Sequence, residues 1–325
     1  MFGHHGCTLQ EEVIVIAHRG ASGERPEHTL ESYRLAIEQG ADYIEPDLVM
    51  TRDGTLIARH ENEIGGTTDV AAHPEFADRR RAQIIDGESI TGWFSEDFTL
   101  AEIKTLRARE RLPELRPANT AFDGRFAVPT FDEIMELATS ENLKRGGGRK
   151  IGVYPETKHP AHFTARGLAL ERPVLAVLER HGYADPGSPV FIQSFDPENL
   201  KLLRGMTRLP LVQLRDGALG DLDDTARYAD AIGISKDLAT AAVVGAAHAR
   251  SLAVHVWTFR AENEFLPEDL RSGDSPAAHG GLVEEIGRFL DRGIDGFFTD
   301  FPAIGVRARD AATSPASTPC TSPSR

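Results

Sequence analysis

Cysteine is nearly absent from this chain. Its 325 residues hold two, Cys7 and Cys320, near opposite ends. That excludes a disulfide framework and a thiolate metal site. No apolar run is long enough to cross a bilayer. The opening residues, "MFGHHGCTLQEE", lack the apolar centre of a signal peptide. As it stands, the sequence reads as cytoplasmic, with a periplasmic or secreted location if a leader is missing. His4 and His5 read as incidental. Positive charge is also scarce: 36 Lys and Arg against 50 Asp and Glu leave a net charge of -14. A nucleic acid or an anionic membrane would repel such a surface. An anionic small molecule could still bind, provided a metal or a focused arginine met it.

At 40% hydrophobic and 26% charged residues, the composition is that of a globular protein. A repeated pattern organises it: a short apolar run, then a stretch with helical periodicity. "VIVIAHRG", "DYIEPDLVMT", "KIGVYPETK", "PVFIQSF", "LPLVQLR", "DAIGIS", "AVHVWTF" and "DGFFTD" are the apolar runs. Thr29 and Ser32 mark the start of the first helix and Gly40 its end, while Asp196-Pro197 opens another. Eight strand–helix units predict an α/β fold of the (β/α)₈ barrel type, of ~250 residues. The alternative, an open doubly wound sheet, calls for a glycine-rich phosphate turn after the first strand, where this chain has His-Arg-Gly.

One run does not fit the repeat. "TLIARHE" follows "DLVMT" after only "RDG". A parallel crossover needs a dozen or more residues, so this run should pair antiparallel with the second strand and bring His60 near the mouth. Residues 64–125 lack a clean period and read as an insertion over the mouth. The expected organisation is an N-terminal extension over 1–12, a barrel over 13–310 and a disordered Ser/Thr/Pro-rich tail over 311–325.

Active sites on such barrels lie at the C-terminal ends of the strands. There the first strand carries His18 and Arg19, the second Glu45 and Asp47, the third Glu156 and Lys158, and the seventh His255, Trp257 and Phe259. Glu45 and Asp47 stand two residues apart, on one face of a strand. With Glu156 on the next strand they describe a site for a hard cation, Mg²⁺ or Ca²⁺, rather than ordinary salt-bridge partners. His18 and His60 are candidates for acid–base work near neutral pH, or satisfied polar residues at strand ends. Arg19 and Lys158 either bind phosphate or neutralise the carboxylates. Trp257 could wall a small-substrate site; His255 and Phe259 read as core.

The run "AHRGASGERPEHTLESYRLAIEQGADYIEPDLVMTRDGTLIARHE" resembles the signature of the glycerophosphodiester phosphodiesterase family. "GVYPETK", "FIQSFDPENL", "HVWTFR" and "GFFTDFP" extend the likeness over about Val13 to Val306, and the 64–125 stretch resembles the family's insert. The resemblance implies metal-dependent hydrolysis of small glycerophosphodiesters to sn-glycerol 3-phosphate and an alcohol. It implies metal ligands at Glu45, Asp47 and Glu156, catalytic histidines at His18 and His60, and phosphate contacts at Arg19 and Lys158. It implies glycerol walls at Phe195 and Trp257 and a supporting carboxylate at Glu27. Two positions depart from the family pattern: Glu61 stands where Asp is usual, and His28 where Asn is commoner. A lyase that stops at a cyclic phosphate, acting on lysophospholipids, is the second reading. A non-catalytic phosphate-ester-binding barrel is the third. No oligomeric state follows from the sequence.

Overall fold

The computed structural model describes residues 13–146 and 148–313. The expectations for Cys7, Cys320, His4, His5 and the 1–12 extension fall outside the described residues. Its main sheet is built from β1 (Ile14–His18), β2 (Tyr43–Glu45), β3 (Asp47–Met50), β4 (Leu56–Ala58), then β7 (Gly152–Val153), β8 (Glu156–Thr157), β9 (Ile192–Ser194), β10 (Leu211–Arg215), β11 (Ala231–Ser235), β12 (Ala253–Phe259) and β13 (Gly296–Thr299). A separate hairpin pairs β5 (Arg81–Ile85) with β6 (Glu88–Gly92).

Two expected strands are each broken by a proline, which has no N–H to give the ladder. Pro46 separates β2 from β3, and Pro155 separates β7 from β8. Across these breaks the parallel pairing continues. β1 pairs with β2, β2 with β7, β3 with β8, and β8 with β9. The series then runs through β10, β11, β12 and β13 and returns to β1. Eight staves therefore close into a barrel. β4 lies outside this ring and pairs antiparallel with β3, as the short "RDG" turn requires.

Register is what positions the site. His18 pairs with Glu45, Asp47 with Glu156, and Glu156 with Gln193. Chemistry-bearing side chains thus cross four neighbouring staves at two adjacent levels, Glu45 with His18 and Asp47 with Glu156 and Gln193.

The helices follow the local signals. The Thr29 hydroxyl accepts from the Ser32 N–H at the start of Leu30–Glu38, and Gly40 follows that helix in a left-handed conformation. Asp196 caps Pro197–Arg204 by accepting from the Glu198 and Asn199 N–H groups. The last helix, Pro302–Thr313, runs three residues into the expected tail. Ala311 and Ala312 are strong helix formers, and Pro315 lies just beyond.

Apolar side chains between staves and helices form the main core; Ile16, Tyr154, Val212, Ala231 and Phe298 pack together in another cluster. His255 is buried, with Nδ1 2.7 Å from the Tyr154 hydroxyl. Phe259 packs against Phe289 and Phe297.

Residues 64–125 have more local order than their composition suggests. Asp86-Gly87 turns the β5–β6 hairpin with both residues at positive φ, 48° and 91°. That is the Asp-Gly signal of a two-residue hairpin loop.

Candidate active site

The sharp turn after β1 starts the site. Arg19 has φ 59° and Gly20 φ 89°. A Cβ on Gly20 would lie 2.3 Å from Ser32 Oγ, so only glycine lets the turn pack on the first helix. The turn aims the Arg19 backbone N–H at Glu45 Oε2, 2.9 Å away, and sends its guanidinium into the mouth.

A cavity of about 370 Å³ opens there. His18, Arg19, Glu45, Asp47, His60 and Glu156 line one part of its wall, followed by Lys158, Phe195 and Trp257. Glu27 and Glu61 are not in the lining; they stand behind it and grip residues that are. Of the expected site residues, therefore, nine face one cavity and two support them.

Glu45, Asp47 and Glu156 are buried, and one oxygen of each lies within 4.8 Å of the others. Burial pushes Glu45 well up from the usual carboxylate range, and Asp47 and Glu156 add to the rise. Burial also pushes Glu156 up, to about 8, against the pull of Lys158. Asp47 goes the other way: burial would raise it, but Lys158, His60 and His28 outweigh that and hold it well down. The donor set is all oxygen, and two of its three carboxylates resist ionising for want of positive charge. Both features fit a hard divalent cation.

Each of the three carboxylates is held by a neighbouring side chain. Gln193 donates to Glu45 Oε1 at 3.0 Å, and Lys158 Nζ lies 2.9 Å from Glu156 Oε1. His28 holds Asp47. It is fully buried, with Nε2 2.9 Å from Asp47 Oδ2 and Nδ1 2.7 Å from the Tyr33 hydroxyl.

Both histidines of the cavity are backed by carboxylates. His18 Nδ1 lies 2.6 Å from Asp300 Oδ1, and His60 Nδ1 lies 2.5 Å from Glu61 Oε1. Burial would raise Asp300, but Arg260, Arg116 and His18 hold it well below the usual range. Burial would likewise raise Glu61, but His60 and Arg111 hold it down. An ionised carboxylate accepts and does not donate, so each Nδ1 carries the proton and each Nε2 is left for the cavity. Burial and Arg19 lower His18 to about 4; burial, Arg19 and Lys158 lower His60 to about 3. At neutral pH both rings are thus uncharged.

Arg19 Nη1 donates to Glu27 Oε2 at 3.1 Å, while its Nε, 3.3 Å from Asp47 Oδ2, makes no hydrogen bond among the described residues. Phe195 and Trp257 meet edge to face at 6.0 Å across the cavity from the first two staves.

Sequence reasoning passed over Asp300, Arg111, Arg116 and Gln193. Asp300 had a signal, since it directly follows the last strand in "GFFTD". Gln193 sits level with Glu156 by register. The two arginines had none, because they reach the site from an irregular segment.

Residues 18–304 match the Glycerophosphoryl diester phosphodiesterase family. A glycerophosphodiester phosphodiesterase of Arabidopsis thaliana is 35% identical, over 88% of this chain and 83% of its own. One from Haemophilus influenzae is 36% identical over 60% of this chain and 53% of its own. The fold is shared with an Oleispira antarctica phosphodiesterase solved with the product sn-glycerol-3-phosphate, at TM-score 0.66 and 19% identity over 92% and 97% of the two chains.

Proposed function

Because this chain belongs to the glycerophosphoryl diester phosphodiesterase family, a family of phosphoric diester hydrolases, we propose that its barrel-mouth cavity cleaves small glycerophosphodiesters, such as glycerophosphocholine and glycerophosphoethanolamine, by paired histidine acid–base catalysis. The products are sn-glycerol 3-phosphate and an alcohol. One observation carries the reading: His18 and His60, each backed by an ionised carboxylate, open into the same cavity as the three-carboxylate cluster.

Glu45, Asp47 and Glu156 would hold one divalent cation, Ca²⁺ or Mg²⁺. When bound, that ion supplies positive charge to a phosphate oxygen and lowers the pKa of a nearby glycerol hydroxyl. Arg19 and Lys158 bind the phosphate and stabilise the charge that builds on it. Phe195 and Trp257 wall the apolar face of the glycerol. One histidine takes the proton of the glycerol 2-hydroxyl at Nε2 as that oxygen attacks phosphorus. The other, protonated once the anionic substrate has raised its pKa, gives its proton to the departing alcohol. Water then opens the cyclic phosphate, with the two roles exchanged.

His18→Ala and His60→Ala should each lower kcat by ~10²- to 10⁴-fold while leaving the fold intact. EDTA should abolish turnover reversibly. Glycerol 3-phosphate release from glycerophosphocholine measures both, and near-normal turnover by either variant contradicts the assignment. Phosphorus NMR of the same reaction distinguishes hydrolysis from a lyase that stops at the cyclic phosphate. A barrel that only binds phosphate esters would release no product. The completeness of the residue set, with both histidines and all three carboxylates in place, argues against that third reading.

A further inference from the structure

The carboxylates behind the two histidines come from distant parts of the chain. Glu61 is the neighbour of His60, and Asp300 follows the last barrel strand. Yet both are held by one short segment, residues 111–116.

Arg111 spans two carboxylates at once. Its Nε and Nη2 donate to Glu27 Oε2 and Oε1, each at 2.7 Å. Its Nη1 and Nη2 donate to Glu61 Oε1 and Oε2 at 3.0 and 2.7 Å. Five residues on, Arg116 Nη2 donates to Asp300 Oδ2 at 2.6 Å and its Nε to Glu262 Oε1 at 2.6 Å. Its Nη1 donates to the Ser22 carbonyl at 3.0 Å, beside the first βα turn. Neither arginine lines the cavity.

The segment is itself fixed. Leu112 N–H donates to Glu110 Oε1 at 2.8 Å, and Asn119 Nδ2 donates to Glu110 Oε2 at 2.8 Å. The Leu115 and Arg116 N–H groups both donate to the Leu112 carbonyl.

We infer that residues 111–116 act as a bracket that positions both acid–base histidines, and that the insertion is in this way part of the reaction machinery. The inference rests on the reading of His18 and His60 as the catalytic pair. Arg111 works through two chains, Glu61 to His60 and Glu27 to Arg19. Arg116 works through one, Asp300 to His18, and shares Asp300 Oδ2 with Arg260, whose Nε donates to it at 2.9 Å. A carboxylate that orients an imidazole must itself be held, or it rotates away and the tautomer is lost. Glu61 has one more side-chain torsion than the usual Asp, and the two-pronged grip of Arg111 offsets that freedom.

A purely structural role, docking the insertion, is met elsewhere. Asn62 donates to both oxygens of Glu96, and His162 Nε2 lies 2.7 Å from Glu96 Oε1. Those contacts are untouched by changes at 111 or 116, so the two roles can be tested apart.

The two arginines should leave different kinetic marks. Arg111→Met disturbs an acid–base residue and the phosphate arginine, so kcat falls and KM rises. Arg116→Met disturbs only the His18 side, so kcat falls at unchanged KM. Each loss in kcat should be ~10- to 100-fold. Arg111→Lys and Arg116→Lys keep the charge but not the fork, and should stay folded while recovering only part of kcat. The experiment is glycerophosphocholine turnover with a thermal melt for the four variants, with Arg81→Met on the exposed hairpin as control.

Met or Lys variants that are folded yet keep kcat within about twofold of the unaltered enzyme overturn the bracket and leave the proposed function standing. So does a KM that rises equally at both positions. If a Met variant does not fold, its Lys counterpart decides. Loss of the proposed function has a separate signature: an unaltered enzyme that releases no glycerol 3-phosphate, or a His18→Ala or His60→Ala variant that still releases it at a near-normal rate.

Discussion

Two sets of carboxylates meet at this barrel mouth, and their surroundings treat them in opposite ways. Glu45 and Glu156 are pushed up by burial and by their acidic neighbours. Glu27 and Asp300 are also buried and Glu61 is half-buried, but arginines and histidines reverse the effect of burial and hold all three down. The chain supplies its own cations to the second set. The first set it leaves short of positive charge, with only Lys158 and the edge of Arg19 nearby. That contrast separates the carboxylates that orient side chains from Glu45 and Glu156, the two a cation would relieve most; Asp47, the third of their cluster, is already held down by Lys158, His60 and His28.

Substitutions should follow the contrast. The largest effect is expected at Asp300, whose side chain is 3% exposed and receives His18, Arg116 and Arg260. Asp300→Asn permits the wrong His18 tautomer and should lower kcat roughly 10³-fold in the glycerol 3-phosphate release assay. Glu61 is 33% exposed and more adaptable, so Glu61→Gln should cost about 10²-fold, read in the same assay. Equal losses at the two positions would erase the distinction between them.

The other set is tested by pH. With its carboxyl raised to about 8, Glu156 holds a proton at pH 7 that a cation must displace. Cation affinity should therefore strengthen as pH rises toward 8, by up to about tenfold per pH unit for each proton released. A raised carboxyl stabilises the fold at pH values below its ordinary pKa and loses that contribution as pH passes through the folded value. The lowered histidines contribute in the opposite sense, but only below their ordinary pKa of 6.5. Above that, EDTA-treated protein should melt lower at pH 9 than at pH 7, and added Ca²⁺ or Mg²⁺ should remove most of the difference. Calorimetric titration in buffers of different ionisation enthalpy counts the protons directly; no proton release at pH 7 would break the comparison. The smallest effect is expected for Glu61→Asp, a change of less than about tenfold in kcat, because the carboxylate remains within reach of His60 but loses part of its grip on Arg111.

Much of this arrangement was legible in the sequence because strand ends are. His18, Arg19, Glu45, Asp47 and Glu156 each terminate or follow an apolar run, and parallel register brings such residues to adjacent levels. The antiparallel placement of Leu56–Ala58, which delivers His60, followed from a loop too short for anything else. Pro46 and Pro155 were visible, yet the breaks they make in the ladder left the cluster of carboxylates intact. The supporting layer was less accessible. Asp300 directly follows the last strand and could have been found by the same rule. Arg111 and Arg116 lie in a segment with no periodicity, and their partners are fixed by tertiary packing alone. The helix reaching Thr313 was missed because a compositional reading of Ser and Pro outweighed the two alanines before them.

The most direct test of the central claim uses a glycerophosphodiester whose leaving alcohol is p-nitrophenol. Such a group departs without help from an acid, whereas the glycerol hydroxyl still needs a base. Initial p-nitrophenol release by His18→Ala and His60→Ala should be restored in one variant and remain lost in the other, which identifies the acid and the base of the pair. Equal restoration in both variants, or full activity of either on glycerophosphocholine, would contradict the account.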